Sequence, residues 1–296
     1  MVKAAKEFVQ YLHDKKRLSD NTCMSYGRDV EMFFEELSVL SDADICCITQ
    51  ADIQGYIDLL HERGQADATI TRFAAALRRF FQFAMEDPKY AVTQNPMFGV
   101  EIPKTVRRLP QTLSTEDVFR LLSKPKCDSP LGYRDKAMLE LMYATGISTS
   151  EIISVCVKDV DLRRGVMRCV NRKGERFVPL GKAAADAVRD YVKKARGALI
   201  GPRSEDTLFV NSKGVQMTRQ GFWKIVKGYI REVGISDSVS PYTLRHSFAM
   251  HLLQNGADLR SVSEMLGHTD IVSTKIYAEA VNDNIRRVYQ KTHPRA

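Results

Sequence analysis

The chain has 296 residues, 44% of them hydrophobic, which suits two folded domains and excludes a disordered or low-complexity protein. No apolar run approaches the length of a membrane span, and the charged N-terminus, MVKAAKEFVQYLHDKKR, does not resemble a signal peptide. We therefore expect a cytoplasmic protein without a membrane anchor. Its six cysteines form no CxxC pair, which favours isolated reduced thiols over disulfides or a zinc site.

Positive charge is concentrated in the second part of the chain. Residues 1–105 hold 12 Lys and Arg against 16 Asp and Glu, whereas residues 106–296 hold 32 against 20. The net charge of +8 therefore comes from the second part alone. Such a basic domain is typical of proteins that bind nucleic acid, although a solvated basic surface would give the same count.

The first 87 residues predict four helices joined by short connections. Apolar residues recur at helical spacing in AKEFVQYLHDKK, in the segment after the cap-like Ser19, and in DATITRFAAALRRFFQFAMED. The remaining helix, in TQADIQGYIDLLHERG, opens with Thr49 and Asp52 in a capping pattern and closes on Gly64. Residues 1–87 therefore predict a compact four-helix bundle.

Residues 88–111 are rich in proline and lack a sustained period, which predicts an extended linker. Residues 112–296 predict an α-rich domain that begins with the capped helix STEDVFRLLS. Two β-rich runs, GVMRCVN and RFVPLG, flank RKGE and predict a hairpin. DTLFVNS predicts a further strand and turn, followed by a helix capped at Thr218. We therefore predict a mainly α protein with a small antiparallel β-sheet rather than a βαβ repeat.

Three short segments near the C-terminus concentrate side chains suited to phosphoryl transfer. YTLRHSFAMHLL places Arg245 and His246 at a helix start. MLGHTD places His268 after a glycine, and TKIYAEA contains Tyr277. Arginine binds phosphate through two hydrogen bonds, histidine transfers protons near neutral pH, and tyrosine can attack phosphorus. Singly, each residue is weak evidence, because such residues are often packed or structural, as we expect for His251 on the same helix.

Together these segments resemble the signature of the tyrosine recombinase (phage integrase) family, and most of all its Xer branch. The signature is carried by LRHSFAMHLLQNGADLRSVSEMLGHTDIVSTKIYA. YRDKAMLELMYATG, RFVPLG, MTRQGFWK and the terminal HPRA are also similar to Xer segments. LSDNTCMSYGRDVEMF is similar to the family's N-terminal segment, so the likeness covers nearly the whole chain.

The resemblance implies a fold and an activity. Residues 1–87 would form a SAM-like core-binding domain, residues 88–111 the linker, and residues 112–296 the catalytic domain with its C-terminal tail. The activity would be site-specific DNA recombination, in chromosome dimer resolution or in integration and excision of a mobile element. We expect no cofactor, because the sequence has neither a metal-ligand cluster nor a glycine-rich phosphate loop.

The resemblance also assigns catalytic roles. Tyr277 would be the nucleophile that forms a 3′-phosphotyrosyl link, Arg245 one of two arginines on the scissile phosphate, and His268 the second histidine of the family. The family's general acid is a hairpin lysine, and Lys173 matches it because a glycine follows. Arg172 is the competing alignment, although a guanidinium is a poor acid.

Two positions depart from the family pattern. Tyr242, three residues before Arg245, stands where the family usually has histidine, and a phenol is a poor base near neutral pH. In ATGISTSEI, Ser148 stands where the family has the other arginine of the phosphate clamp. Losing one such donor costs on the order of 10²–10³ in rate, so we expect impaired catalysis, in an engineered variant or a natural paralogue. Arg134 is a conceivable substitute with a structural place, and Ser148 with Glu151 has the spacing of a capping box.

Residues in both domains are candidates for DNA contact. In MTRQGFWK, Arg219, Gln220 and Lys224 lie near a helix start, where they could read a major groove or contact phosphates only. Candidates in the first domain, which could equally be solvent-facing, are Tyr26, Arg28, Arg72, Arg78 and Arg79.

The resemblance implies double-stranded DNA with a specific site as the main partner, held in a clamp by the two domains. The tail VNDNIRRVYQKTHPRA would dock on a neighbouring protomer in a homo- or hetero-tetramer, unless it folds on its own domain. A DNA translocase could be a further partner. Two other functions stay open: a DNA-binding module without catalysis, and a type IB topoisomerase, which the Xer-like layout and HPRA tail disfavour.

Overall fold

A computed structural model describes residues 3–103, 109–171, 174–203, 205–267, 274, 275 and 277. The chain divides into two compact units, residues 1–107 and residues 108–296. Within the described residues, no helix is both long and apolar enough to cross a lipid bilayer. The predicted domain limits at residues 87 and 112 stay a prediction.

The first unit is helical, as the apolar periodicity predicted. It contains α1 (Lys3–Asp14), α2 (Asp20–Glu36), α3 (Gln50–Glu62) and α4 (Asp67–Glu86), with 3₁₀ turns at Asp42–Cys47 and Pro88–Tyr90. Ser19 caps α2 by accepting a hydrogen bond from the Thr22 N–H. Thr49 and Asp52 form the predicted capping box of α3. Both caps satisfy backbone N–H groups that a helix start leaves without a partner.

An aromatic core holds these helices together. The Phe80 ring of α4 meets Phe8 of α1 edge-on at 5.4 Å between centroids, and meets Phe34 of α2 at 5.2 Å. All three side chains are at most 2% exposed. Such edge-to-face contacts contribute about 0.5–1.5 kcal/mol each beyond burial.

The second unit contains eight helices and one sheet in its described part. The helices are α5 (Thr115–Ser123), α6 (Pro130–Thr145), α7 (Thr149–Ser154), α8 (Lys182–Tyr191), α9 (Gly197–Ile200), α10 (Arg219–Val233), α11 (Pro241–Gln254) and α12 (Leu259–Leu266). A 3₁₀ turn spans Val157–Asp159, and a π-helical turn spans Val192–Arg196. Thr218 caps α10 as predicted, accepting a hydrogen bond from the Gly221 N–H.

The sheet is antiparallel, with strand order β1-β2-β3. Its strands are β1 (Val160–Asp161), β2 (Val166–Asn171) and β3 (Gly174–Pro179). Cys169 pairs with Arg176, and Asn171 pairs with Gly174 at the end of the hairpin. The mainly α fold with a small antiparallel sheet and a predicted hairpin is thus confirmed.

The strand predicted in DTLFVNS is wrong. In this segment the structure has only isolated bridges, Cys156 with Thr207 and Val210 with Gln216. Carbonyls of this segment also accept hydrogen bonds from arginine side chains. The Arg196 guanidinium donates to the Thr207 carbonyl at 2.7 Å, and the Arg134 guanidinium donates to the Val210 carbonyl at 3.1 Å.

The start of the second unit is fastened to α11. The Leu113 N–H donates to Ser247 Oγ at 2.8 Å, and the Leu113 carbonyl lies 3.1 Å from His251 Nε2. The other ring nitrogen of His251 lies 2.9 Å from the Tyr143 hydroxyl of α6. His251 is therefore a packed, hydrogen-bonded residue, as the sequence suggested.

Candidate active site

The segment between α6 and α7 is shaped by a glycine and a serine cap. Gly146 ends α6 with φ of +60°, and a Cβ there would lie 2.2 Å from the Phe248 ring. Ser148 caps α7, and its capping box with Glu151 is confirmed. Glu151 Oε2 accepts from the Ser148 N–H and from its hydroxyl, both at 2.8 Å. The Ser148 side chain therefore serves as the N-terminal cap of α7.

The Glu151 carboxylate accepts hydrogen bonds from several residues of the site. This carboxylate is 8% exposed and binds the Arg176 guanidinium at both oxygens, at 2.5 and 3.2 Å. Asn171 Nδ2 donates to the same Oε1 at 3.1 Å. Burial would raise the pKa of Glu151, but hydrogen bonds from Arg176 and the Ser148 N–H outweigh it and lower this pKa to about 2. Glu151 is therefore ionised at neutral pH.

Arg245 reaches the site from α11. Its Nη1 donates to the Gly146 carbonyl at 2.5 Å, and its Nη2 donates to the Leu266 carbonyl at 2.7 Å. Nη1 also lies 3.9 Å from Glu151 Oε2. Burial lowers the pKa of Arg245, and the Glu151 charge opposes that shift. The Arg245 guanidinium thus connects the C-terminal ends of α6 and α12 and lies close to Glu151.

Tyr277 lies beside this cluster. Its hydroxyl is 2.7 Å from His246 Nδ1, and its side chain is 3% exposed in a pocket with Phe248 and Leu266. Burial raises the pKa of the phenol, against the nearby charge of Arg245. Burial, and then the same charge, lower the pKa of His246. A neutral imidazole can accept the phenol proton at Nδ1, so the pair is suited to activating the hydroxyl.

Two other predicted site residues, Tyr242 and Arg134, lie in the described part of the chain. Tyr242 is 56% exposed in the first turn of α11. Arg134 is 4% exposed and bonded to Asp135 at 2.7 and 2.8 Å, about 17 Å along α6 from its end. These bonds give Arg134 the structural place that the sequence suggested. His268, Lys173 and Arg172 lie outside the described residues.

The candidate DNA contacts are on the surface of each unit. Arg219, Gln220 and Lys224 are exposed in the first two turns of α10. In the first unit, Arg28, Arg72, Arg78 and Arg79 are exposed, and Tyr26 is half-buried. Arg72 already forms one ion pair, because its Nη2 binds Asp29 at 2.9 Å.

Sequence reasoning did not single out Arg176, and it counted His246 among the reactive residues while also giving it a structural role. Arg176 does carry a signal, because it alternates with buried Val178 on β3 and therefore faces the core side of the sheet. A charged residue on a buried face needs a partner. No comparable local signal identifies the contact of His246 with Tyr277. Among the residues described, no group of three or more His, Cys, Asp or Glu side chains could hold a metal ion.

Comparison with known proteins gives family matches over both units. A model described as "Phage integrase family" matches residues 111–283, and one described as "Phage integrase, N-terminal SAM-like domain" matches residues 5–87. Tyrosine recombinase XerD of Oceanobacillus iheyensis is 44% identical over 300 residues, covering 99% of both chains. Tyrosine recombinase XerD of Halalkalibacterium halodurans is 42% identical over 292 residues, covering 98% of this chain and 97% of the relative.

Solved structures agree on the fold. XerH recombinase bound to a palindromic difH substrate superposes with a TM-score of 0.76 at 20% identity, covering 96% of this chain and 83% of that one. The Tn1549 transposon integrase in complex with transposon right end DNA gives 0.74 at 20% identity, covering 98% and 99%. Because the first family model matches over half of the chain and the XerD relatives match nearly all of it, the chain belongs to the phage integrase family of tyrosine recombinases, among its Xer-type members.

Proposed function

We propose that this chain cuts and rejoins duplex DNA at a specific site through Tyr277, and that Ser148 weakens but does not abolish the cleavage step. The observation that carries the proposal is the 2.7 Å contact between the Tyr277 hydroxyl and His246, beside the Arg245 guanidinium. The proposed nucleophile would thus have a proton acceptor and a phosphate-binding cation close to it.

In the proposed reaction, Tyr277 Oη attacks the scissile phosphorus. The bond to the 5′ oxygen breaks, a 3′-phosphotyrosyl link forms, and the 5′ oxygen takes up a proton. The link keeps the energy of the phosphodiester, so the reverse attack by a 5′ hydroxyl rejoins strands without a nucleotide. Arg245 neutralises charge on the phosphate. By family resemblance, Lys173 would protonate the leaving oxygen and His268 would hydrogen-bond to the phosphate.

Ser148 is the reason to expect slow chemistry. Its hydroxyl binds Glu151 at 2.8 Å and carries no charge, so it adds no cation to the clamp. One missing donor to a developing charge costs on the order of 10²–10³ in rate. Tyr242 is exposed on the first turn of α11 and can donate one hydrogen bond to a phosphate oxygen.

Duplex DNA is the proposed substrate, and the basic second unit supplies most of the attraction. Arg219 and Gln220 would read bases from the start of α10, with Lys224 on the backbone. In the first unit, Arg28 and Arg78 would contact phosphates. The XerH and Tn1549 integrase structures are complexes with DNA, which supports this partner. By family resemblance, a homo- or hetero-tetramer would form at synapsis.

The test begins by enriching bound duplexes from a random pool with the parental protein, which yields the site. A nicked version of that duplex lets the short cleaved fragment diffuse away, so the covalent complex accumulates. We expect slow covalent trapping by the parent and none by Tyr277→Phe. Ser148→Arg should accelerate trapping by up to about 10²–10³-fold. Unchanged trapping by Tyr277→Phe would show that Tyr277 is not the nucleophile.

A second candidate is a DNA-binding paralogue without catalysis, with a structural or regulatory role. The serine cap favours this candidate. Ser148 binds a backbone N–H at the start of α7, but it provides no second arginine to bind the phosphate. This candidate predicts site-specific gel shifts and no covalent product, even from Ser148→Arg. The same two assays therefore separate the two functions.

A further inference from the structure

We propose that Arg176, on β3, supplies the second guanidinium to the scissile phosphate, in the role that Ser148 cannot fill. This inference rests on the proposed function, since it concerns the same reaction. It would explain how a chain that lacks the usual clamp residue retains cleavage.

Arg176 and Arg245 bind neighbouring carbonyls at the end of α12. Arg176 Nε donates to the Met265 carbonyl at 2.6 Å, and Arg245 Nη2 donates to the Leu266 carbonyl at 2.7 Å. Two arginines from separate elements, a strand and a helix, are therefore brought together directly before Gly267. That placement fixes both guanidiniums beside the same chain end.

Both guanidiniums also face one carboxylate oxygen. Glu151 Oε2 lies 3.2 Å from Arg176 Nη2 and 3.9 Å from Arg245 Nη1. Two arginines against one carboxylate leave a net charge of one positive unit. A phosphodiester carries one negative charge, so it would neutralise this cluster. Phosphate oxygens are recognised well by paired guanidinium N–H groups.

Arg176 retains donors for such a ligand. A guanidinium has five N–H groups, and the described residues take three of them, through the Met265 carbonyl and the two oxygens of Glu151. The Arg176 side chain is 13% exposed and lines a cavity of about 550 Å³ together with Asn171 and Gly267. Glu175 and Glu264 also border this cavity.

Those two acidic neighbours are paired with other arginines. Glu175 lies 3.5 Å from Arg168, and Glu264 lies 3.2 Å from Arg260. Their charges are therefore partly compensated outside the Arg176 cluster, and both side chains are more than half exposed. Solvent screens such charges, so they do not cancel the attraction of the buried guanidiniums for an anion.

Gly267 makes the approach of Arg176 possible. A Cβ at this position would lie 2.6 Å from Arg176 Nη1 and 2.8 Å from its Cζ. Gly267 has φ of +69°, which glycine adopts without strain. Ser148 contributes in a second way, because it holds Glu151 through two short bonds without adding a competing cation.

The experiment compares two substrates, the enriched nicked duplex and the same duplex with a methylphosphonate at the cleavage position. The methylphosphonate is neutral, so a cation that neutralises the phosphate is no longer needed. The variants are Arg176→Gln, Arg176→Lys and Arg176→Gln combined with Ser148→Arg. Arg189→Gln is the matched control, since Arg189 on α8 is also paired with a carboxylate, that of Asp186, but does not border the Arg176 cavity. Gel shifts and thermal melting establish equal DNA binding and folding.

We expect Arg176→Gln to slow trapping on the phosphodiester by about 10²-fold and to leave methylphosphonate cleavage within a few-fold of the parent. Adding Ser148→Arg should restore most of the lost rate. Arg189→Gln should leave cleavage of both substrates unchanged. If Arg176→Gln does not fold, Arg176→Lys is the test: its loss should again be larger on the phosphodiester, because lysine lacks the bidentate fork.

Three results would overturn the inference: an equal loss on both substrates, no loss on the phosphodiester, or cleavage by Ser148→Arg with none by the parent. The first would make Arg176 a support for Glu151 only. The failure of the proposed function is distinguishable from all three, because then no variant, including Ser148→Arg, traps DNA on either substrate.

Discussion

Replacing Glu151 with glutamine should remove a pH-dependent part of the stability of the second unit. Arg176 and the Ser148 N–H lower the pKa of the buried Glu151 to about 2 in the folded chain, against 4.5 for an unperturbed glutamate. This difference corresponds to about 3 kcal/mol of stabilisation at neutral pH. Since the folded-state pKa is the lower one, this stabilisation is complete above about pH 5 and decreases as the pH falls towards 2.

The expected size can be followed through the accessible pH range. About 0.8 kcal/mol of the contribution of Glu151 should be lost by pH 4, and about 2 kcal/mol by pH 3. Other carboxylates titrate in the same range, so the informative quantity is the difference in unfolding free energy between the parent and Glu151→Gln. That difference should shrink by about 2 kcal/mol between pH 6 and pH 3.

Urea unfolding followed by tryptophan fluorescence measures this difference in the second unit alone. Trp223, on α10, is the only tryptophan of the chain, so its emission reports residues 108–296. A difference between parent and Glu151→Gln that stays constant from pH 6 to pH 3 would refute the reasoning. It would mean that the carboxylate titrates normally and that Arg176 does not stabilise its charge.

Three further predictions concern single elements. Ser148→Ala should lower the free energy of unfolding by about 1 kcal/mol in the same fluorescence assay, because it removes the cap of α7. An unchanged free energy of unfolding would show that the cap does not stabilise the second unit. Gly146→Ala should cost about 2 kcal/mol or more, since its φ is +60° and its Cβ would lie 2.2 Å from Phe248; an unchanged midpoint would contradict this. Burial raises the pKa of Asp29 to about 6, so the folded state holds this proton more tightly and stability should fall as the pH rises from 4 to 7. Asp29→Asn should abolish that fall, measured as hydrogen exchange of the α2 amides, and an equal fall in both proteins would exclude Asp29 as its cause.

Local structure could be predicted because its causes are local. The caps at Thr49, Ser148 and Thr218 each depend on a side chain and an N–H three residues later, and all three are present. The hairpin likewise follows from short-range alternation. The strand predicted in DTLFVNS did not form because the segment meets its neighbours only at isolated bridges, and local alternation does not encode such long-range pairing.

The candidate site depended on resemblance, because its contacts join distant parts of the chain. Arg176 and the Met265 carbonyl are 89 residues apart, and Arg245 and the Gly146 carbonyl are 99 apart. No period or spacing in the sequence encodes such pairs. The charge of Arg176 on a buried strand face was the available sign that a partner exists, but not which one.

The hydrogen bonds of Leu113 to α11 connect the beginning of the second unit to the helix that carries Arg245 and His246. Both backbone polar groups of Leu113 are bound, by Ser247 and by His251. Arg245 and His246 lie on the turn of the same helix directly before Ser247. The position of Leu113 is therefore fixed relative to the helix turn that carries His246, whose Nδ1 lies 2.7 Å from the Tyr277 hydroxyl.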